Sequence, residues 1–363
     1  MEIAVPRMKY AKCFLILLLP ILMGCSNEDD RTPPAPEDGV YFPPISGSGW
    51  ETTELSSLGW NEEAVQPLKD FLLEKNTKSF LILVNGRIVM EEYFDGHTPE
   101  ATWQWNSAGK TLTSATTGIA QQNGLLNIDD HVAQYLGDGW TSAPPEKEAL
   151  ITLFHLLSMT SGLEDANLVT PAALTYVADA GSRWSYSNVF QKLMDVVAAS
   201  ANQSFEAYFN ATLKDKIGMD GFWNNGLIFR IYHSNTRSMA RFGLLALHRG
   251  KWDTEQIIDQ SFFEAGISPS QSINPSYGYF WWLNGKPSFM VPGGQTVFPG
   301  SLIPNAPADM YAAMGAEDQR IYVVPGKNMV VVRMGRSSDP GNPSFALSGF
   351  DNALWQKINA VID

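Results

Sequence analysis

The stretch Trp105-Asn106-Ser107-Ala108-Gly109-Lys110, running on through Thr-Leu-Thr-Ser-Ala-Thr-Thr-Gly-Ile-Ala-Gln-Gln-Asn to Gly124, holds the single S-x-x-K of the chain. Its composition predicts a helix that starts near Ser107 and stops at Gly124, where glycine closes the run. Three positions make nearly one helical turn, so Lys110 falls on the face of Ser107, close enough to take or return its proton. Amides at the start of that helix would favour negative charge developing beside the same hydroxyl. The spacing alone recurs about once by chance in a chain with this many serines and lysines, so the neighbouring segments decide.

A serine nucleophile without a histidine needs another base. A tyrosine beside a lysine can serve, because a nearby cation favours the phenolate. Tyr-x-Asn occurs at Tyr186-Ser187-Asn188 and at Tyr208-Phe209-Asn210. The second lies in the apolar run from Phe205 to Leu213 and reads as helix packing. The first follows the turn Ala180-Gly181-Ser182-Arg183 and precedes a helix near Val189, which puts it on a loop, where site residues concentrate. The five histidines (His97, His131, His155, His233, His248) show no metal-ligand spacing. No G-x-S-x-G, no P-loop and no strand-to-helix G-x-G-x-x-G is present, so no cofactor and no metal are expected.

Working outward, Asn61-Glu62-Glu63-Ala64 followed by Val65, Leu68, Phe71 and Leu72 predicts a capped amphipathic helix. Phe80 to Val84 and Ile88 to Phe94 flank Asn85-Gly86, the strongest short hairpin signal. Residues 107 to 265 read mainly as helices. Strand character returns at Tyr277 to Trp282, Gln319 to Val324 and Met329 to Arg333, with a turn at Pro325-Gly326-Lys327-Asn328, and a last helix is expected from about Ser344 to Ile362. Strands at both ends with helices between them imply one antiparallel sheet built from both ends of the chain. A mostly helical lobe is inserted into it, with a cleft where the two meet.

The chain resembles the serine β-lactamase and penicillin-binding-protein superfamily, most closely the branch of class C β-lactamases, DD-peptidases, related esterases and 6-aminohexanoate-dimer hydrolases. Ser107-x-x-Lys110 and Tyr186-x-Asn188 carry the resemblance, together with Ile151-Thr-Leu-Phe-His-Leu-Leu-Ser-Met-Thr-Ser-Gly-Leu163, Met239 to Leu245 and Tyr277-Gly-Tyr-Phe-Trp-Trp282. It covers residues 50 to 363. The fold it implies is α/β (in detail α+β): a sheet lobe of about 50–106 and 266–363 and a helical lobe of about 107–265. The activity it implies is acyl transfer, with Ser107 as nucleophile, Lys110 and Tyr186 as the proton-transfer pair and Asn188 contacting substrate. His155, inside an apolar helical run, reads as structural. The third motif departs from the K-T-G of β-lactamases and DD-peptidases: Ala313-Met314-Gly315-Ala316-Glu317-Asp318-Gln319 stands there, similar to the A-x-G-x-x-x-Q of the aminohexanoate-hydrolase-like branch. The lysine and threonine that would meet a substrate carboxylate are absent. The Ala316 amide could still join that of Ser107 around an oxyanion, with Gly315 beside it.

At the N-terminus, Arg7, Lys9 and Lys12 precede an apolar run from Cys13 to Met23, and Leu22-Met23-Gly24-Cys25 resembles the lipobox of bacterial lipoproteins. Residues 1–24 are expected to be a signal peptide, Cys25 the lipidated residue, and 25–49, rich in Pro, Gly and acid, a solvated tether to a membrane of the bacterial envelope. Lys plus Arg total 25 against 38 for Asp plus Glu, a net charge of -13 that argues against nucleic acid as a partner. The expected activity is hydrolysis of a small ester, amide or peptide-like substrate through an acyl-enzyme. A β-lactamase or DD-peptidase and a non-catalytic penicillin sensor are the alternatives.

Overall fold

The computed structural model describes residues 39–165, 168–226, 229–341 and 347–363. The expected signal peptide, Cys25 and the tether up to residue 38 lie outside the described residues, as do positions 344–346 of the expected last helix. Strand β1 (Thr77–Val84) shows how the body is organised. Its Phe80, Leu81, Ile82 and Leu83 are all fully buried, so both of its faces are covered, as an interior strand requires. Strand β2 (Arg87–Tyr93) returns across Asn85-Gly86, whose φ values of 49° and 79° form the primed turn that matches the twist of a hairpin.

Three short strands form a separate small sheet: β3 (Trp103–Gln104), β4 (Phe222–Asn225) and β5 (Arg230–Ser234), in the order β3-β5-β4. Strands β6 (Trp282–Leu283), β7 (Tyr311–Gly315), β8 (Gln319–Val324) and β9 (Met329–Gly335) complete the main sheet. Its order is β2-β1-β9-β8-β7-β6, and every pairing is antiparallel. The partner of β1 thus comes from the far end of the chain, in register from Val84 opposite Met329 to Ser79 opposite Met334, with a bulge before Thr77 meets Gly335.

Helices α1 (Val65–Glu74), α2 (Lys110–Gln122), α3 (Leu153–Leu157), α4 (Gln191–Ala201), α5 (Thr236–Leu247) and α6 (Gly349–Ile362) carry most of the remaining core. α5 lies on the main sheet so closely that a Cβ on Gly243 would sit 2.5 Å from Val330 Cγ1. α6 covers the opposite face: Trp355 packs edge-on against Tyr322, whose neighbour Ile321 points to Gly243. α2 is buried on nearly every side from Lys110 to Ala120, the mark of a central rather than a surface helix.

Three expectations change. From Tyr41 the stretch expected to be tether lies on the body, because Tyr41 N–H donates to Asn85 and Arg241 donates to the Pro43 and Pro44 carbonyls. Prolines have no N–H to bind elsewhere, but their carbonyls accept freely. Tyr277 to Trp281 is a tight turn rather than a strand, with Phe280 at φ 66°, and only Trp282 and Leu283 enter the sheet. Its aromatic rings pack on different neighbours, Tyr277 on Trp282, Phe280 on Phe190 and Trp281 on Phe242, instead of alternating across a sheet. Finally, α5 falls within the span expected to be the helical lobe, yet it packs on β1, β8 and β9.

Candidate active site

Ser107 sits in a 3-10 turn, Asn106–Gly109, that links β3 to α2; the α-helix proper begins at Lys110. Trp105, fully buried, anchors the turn by donating its indole N–H to Ser234 Oγ (2.7 Å) and its amide to the Tyr232 carbonyl (2.8 Å). Asn106 takes φ 50°, a left-handed conformation that asparagine tolerates, and its side chain donates to the Ala316 carbonyl at 2.8 Å. The Ser107 turn and the third motif are thereby tied together.

Lys110 Nζ donates to Ser107 Oγ at 2.7 Å. The amine is buried, with the ring centres of Tyr186 and Phe190 4.5 Å and 4.4 Å away. Loss of water lowers its pKa to about 7. Tyr186 lines the same cleft beside Ser107, and burial pushes its phenol well above the usual range, against the smaller opposing effects of the Ser107 hydroxyl and of the Arg320 charge. The expectation of a phenolate base is therefore reversed. Near neutral pH the lysine can shed its proton, and the tyrosine keeps its own.

Tyr186 is held by the segment that precedes it. Gly181 N–H donates to Thr160 and Ser185 N–H to Met159, so the Tyr186 loop hangs on the turn after α3. In that turn Gly162 has φ 74°, and a Cβ there would overlap the Ala178 carbonyl. His155 closes the capping box of α3, its Nδ1 accepting from the Thr152 amide at 3.1 Å, which is the structural role expected of it. Tyr208 is buried in the helix Phe205–Phe209, where its hydroxyl accepts from Asn123 at 2.8 Å, away from Ser107.

Gly315, the last residue of β7, and Ala316 after it lie over the Ser107 turn. A Cβ on Gly315 would overlap the Trp105 carbonyl oxygen and lie 2.9 Å from the Ala108 nitrogen, so no larger residue fits this approach. Beyond them the chain reverses through Glu317 and Asp318, both left-handed at φ 60° and 59°. Two fully buried arginines hold this turn. Arg320 donates to the Gly315 carbonyl (2.7 Å) and pairs with Asp318 (2.9 Å) and Asp351 (2.5 and 3.0 Å). Arg333 donates to the Glu317 and Asp318 carbonyls at 2.8 and 3.1 Å. The Gln319 side chain bonds Gly335 in both directions, tying β8 to β9. The arginines escaped the sequence reading, although a lone arginine inside each of two otherwise apolar strands was the available signal.

Ser107, Lys110, Tyr186, Asn188 and Ala316 all line one cleft of about 380 Å³. Its walls add Phe190 from the start of the α4 region, Arg230 and Ile231 from β5, and Pro292. Gly315 backs this cleft rather than lining it.

Residues 77–347 match the family model for Beta-lactamase. Among solved structures, a protein described as a 6-aminohexanoate-dimer hydrolase from Bacillus anthracis superposes with a TM-score of 0.64 at 19% identity, covering 88% of each chain. A beta-lactamase from Mycobacterium bovis gives 0.58 at 16% identity, over 82% of this chain and 97% of that one. EstCE1, a hydrolase with promiscuous acyltransferase activity, gives 0.59 at 15% identity, over 85% and 99%. No curated protein matches the chain in sequence. The family match spans well over half of the chain and takes in every residue assembled around Ser107, and the fold agrees with it: the chain belongs to the beta-lactamase family.

Proposed function

We propose that the protein is a serine hydrolase that cleaves an ester or amide through an acyl-enzyme on Ser107. The observation that carries this reading is the surroundings of one hydroxyl: Lys110 Nζ donates to Ser107 Oγ at 2.7 Å, the Tyr186 ring lies 4.5 Å from that amine, and all three residues line one open cleft. Neutral Lys110 accepts the serine proton as Oγ attacks the carbonyl carbon. The amides of Ser107 and Ala316 stabilise the oxyanion. Tyr186 gives its proton to the departing alkoxide or amine and is reprotonated from Lys110. Water then adds to the acyl-enzyme with the same groups acting in reverse, and the acid is released. The family membership and the hydrolase relatives support this reading, and Asn188 on the cleft wall is suited to orient the substrate amide or ester. A fluorophosphonate probe is expected to label the wild type and to leave Ser107→Ala unlabelled. Undiminished labelling of the variant would place the nucleophile elsewhere.

A further inference from the structure

With Lys110 engaged by Ser107, a charge on the acyl part of a substrate must be met by another group in the cleft. Two further charged side chains line it, Asp165 and Arg230. Asp165 receives both arms of Arg183, at 2.8 and 3.2 Å, and the Ser185 hydroxyl. Arg230 donates Nη2 to the Asp195 carboxylate at 2.6 Å and to the Gln191 carbonyl at 3.3 Å, while Gln191 Oε1 accepts its amide. Phe190, Phe229, Ile231 and Pro292 supply apolar wall between them. On the β7 side Ala313 and Met314 are buried and uncharged. A carboxylate moved from water into such walls loses its hydration without gaining a cation of its own.

We propose that the cleft excludes charge: its acyl pocket takes a neutral, partly apolar acyl group, and the Arg230–Asp195 pair determines this specificity by neutralising the one guanidinium among the described wall residues. The inference rests on the acyl-enzyme reading above. Asp195 lies on α4 behind the wall, is about one-third exposed and also meets Lys192 at 3.5 Å, so its charge can be removed without opening the core. In Asp195→Asn the Arg230 guanidinium keeps its position and loses its counter-charge.

The test compares two esters of equal chain length, p-nitrophenyl valerate and p-nitrophenyl hydrogen glutarate, which differ by a terminal carboxylate. Wild type is expected to favour the neutral ester by about 100-fold in kcat/KM, and Asp195→Asn to narrow that ratio about tenfold by a gain on the anionic ester, a change worth about 1.4 kcal/mol. The double variant Asp195→Asn/Arg230→Gln should return the anionic ester to its slow rate, which a general loosening of the cleft would not do. Equal or preferred turnover of the glutarate ester by wild type overturns the inference, as does an unchanged ratio in Asp195→Asn. Failure to cleave either ester while Ser107 still takes up fluorophosphonate overturns it too. Absence of labelling at Ser107 would instead remove the acyl-enzyme reading beneath it.

Discussion

Lys110 is the residue at which chemistry and stability oppose each other. In the unfolded chain a lysine holds its proton up to about pH 10.4, whereas in the folded protein burial lowers that limit to about 7. Between these values the folded state binds fewer protons than the unfolded state, so this group makes folding more favourable as pH rises through the window. Below pH 7 the full cost of burying the cation remains, on the order of 4 kcal/mol before the ring faces of Tyr186 and Phe190 return part of it. Lys110→Met is therefore expected to abolish turnover and to raise Tm, by more at pH 6 than at pH 9, as thermal denaturation at the two values would register. For the wild type, kcat/KM should rise with pH through about 7, as neutral lysine becomes available. A profile flat from pH 5.5 to 8.5 would remove Lys110 from the role of base.

The turn between β7 and β8 shows how an element can be fixed by residues that never touch substrate. Arg320 and Arg333 satisfy the carbonyls of Gly315, Glu317 and Asp318, and Asp351 at the start of α6 balances Arg320 while accepting from Tyr322 at 2.6 Å. Arg333→Met would leave the buried Asp318 carbonyl without its donor and the Glu317 carbonyl with the Gln319 side chain alone, at a cost of about 1–3 kcal/mol. Because the Ala316 amide rides on this turn, kcat should fall about 10- to 100-fold while KM moves little. Steady-state kinetics at a temperature well below the variant's Tm separate that outcome from simple unfolding; an unchanged kcat would make the network a matter of stability alone. The grouping of Ser107, Lys110 and Tyr186 was legible in the sequence because Ser107 and Lys110 are one turn apart and Tyr186 follows a readable turn. The arginine network was not, since Arg320 and Asp351 meet across 31 positions and local periodicity reports only that Arg320 lies on a strand. The pairs that neutralise Asp165 and Arg230 were hidden for the same reason. The Tyr277 turn was misread because its aromatic run imitates a strand while its rings serve a cluster.

At the scale of the whole molecule, the architecture could be read from the strand signals at both ends of the chain, and β1 pairing with β9 bears this out. The packing of α5 on that sheet could not, because an apolar helix face does not name its partner. The pairing makes the body depend on its last segments. A chain ending at Asn328 lacks β9 and α6, leaves β1 with an apolar unpaired edge and takes Arg333 from the turn over Ser107. It is expected to be insoluble and to take up no fluorophosphonate; a soluble, labelled truncation would show the site to be self-sufficient without them.

The same closure sets a clock. Ser107 is synthesised in the first third of the chain, but Gly315 is laid over it only after more than two hundred further residues, and Arg333 arrives later still. Until then Ser107 has Lys110 beside it but not the Ala316 side of its cleft. The complete cleft, and with it the proposed reactivity, belongs to chains that have closed the sheet.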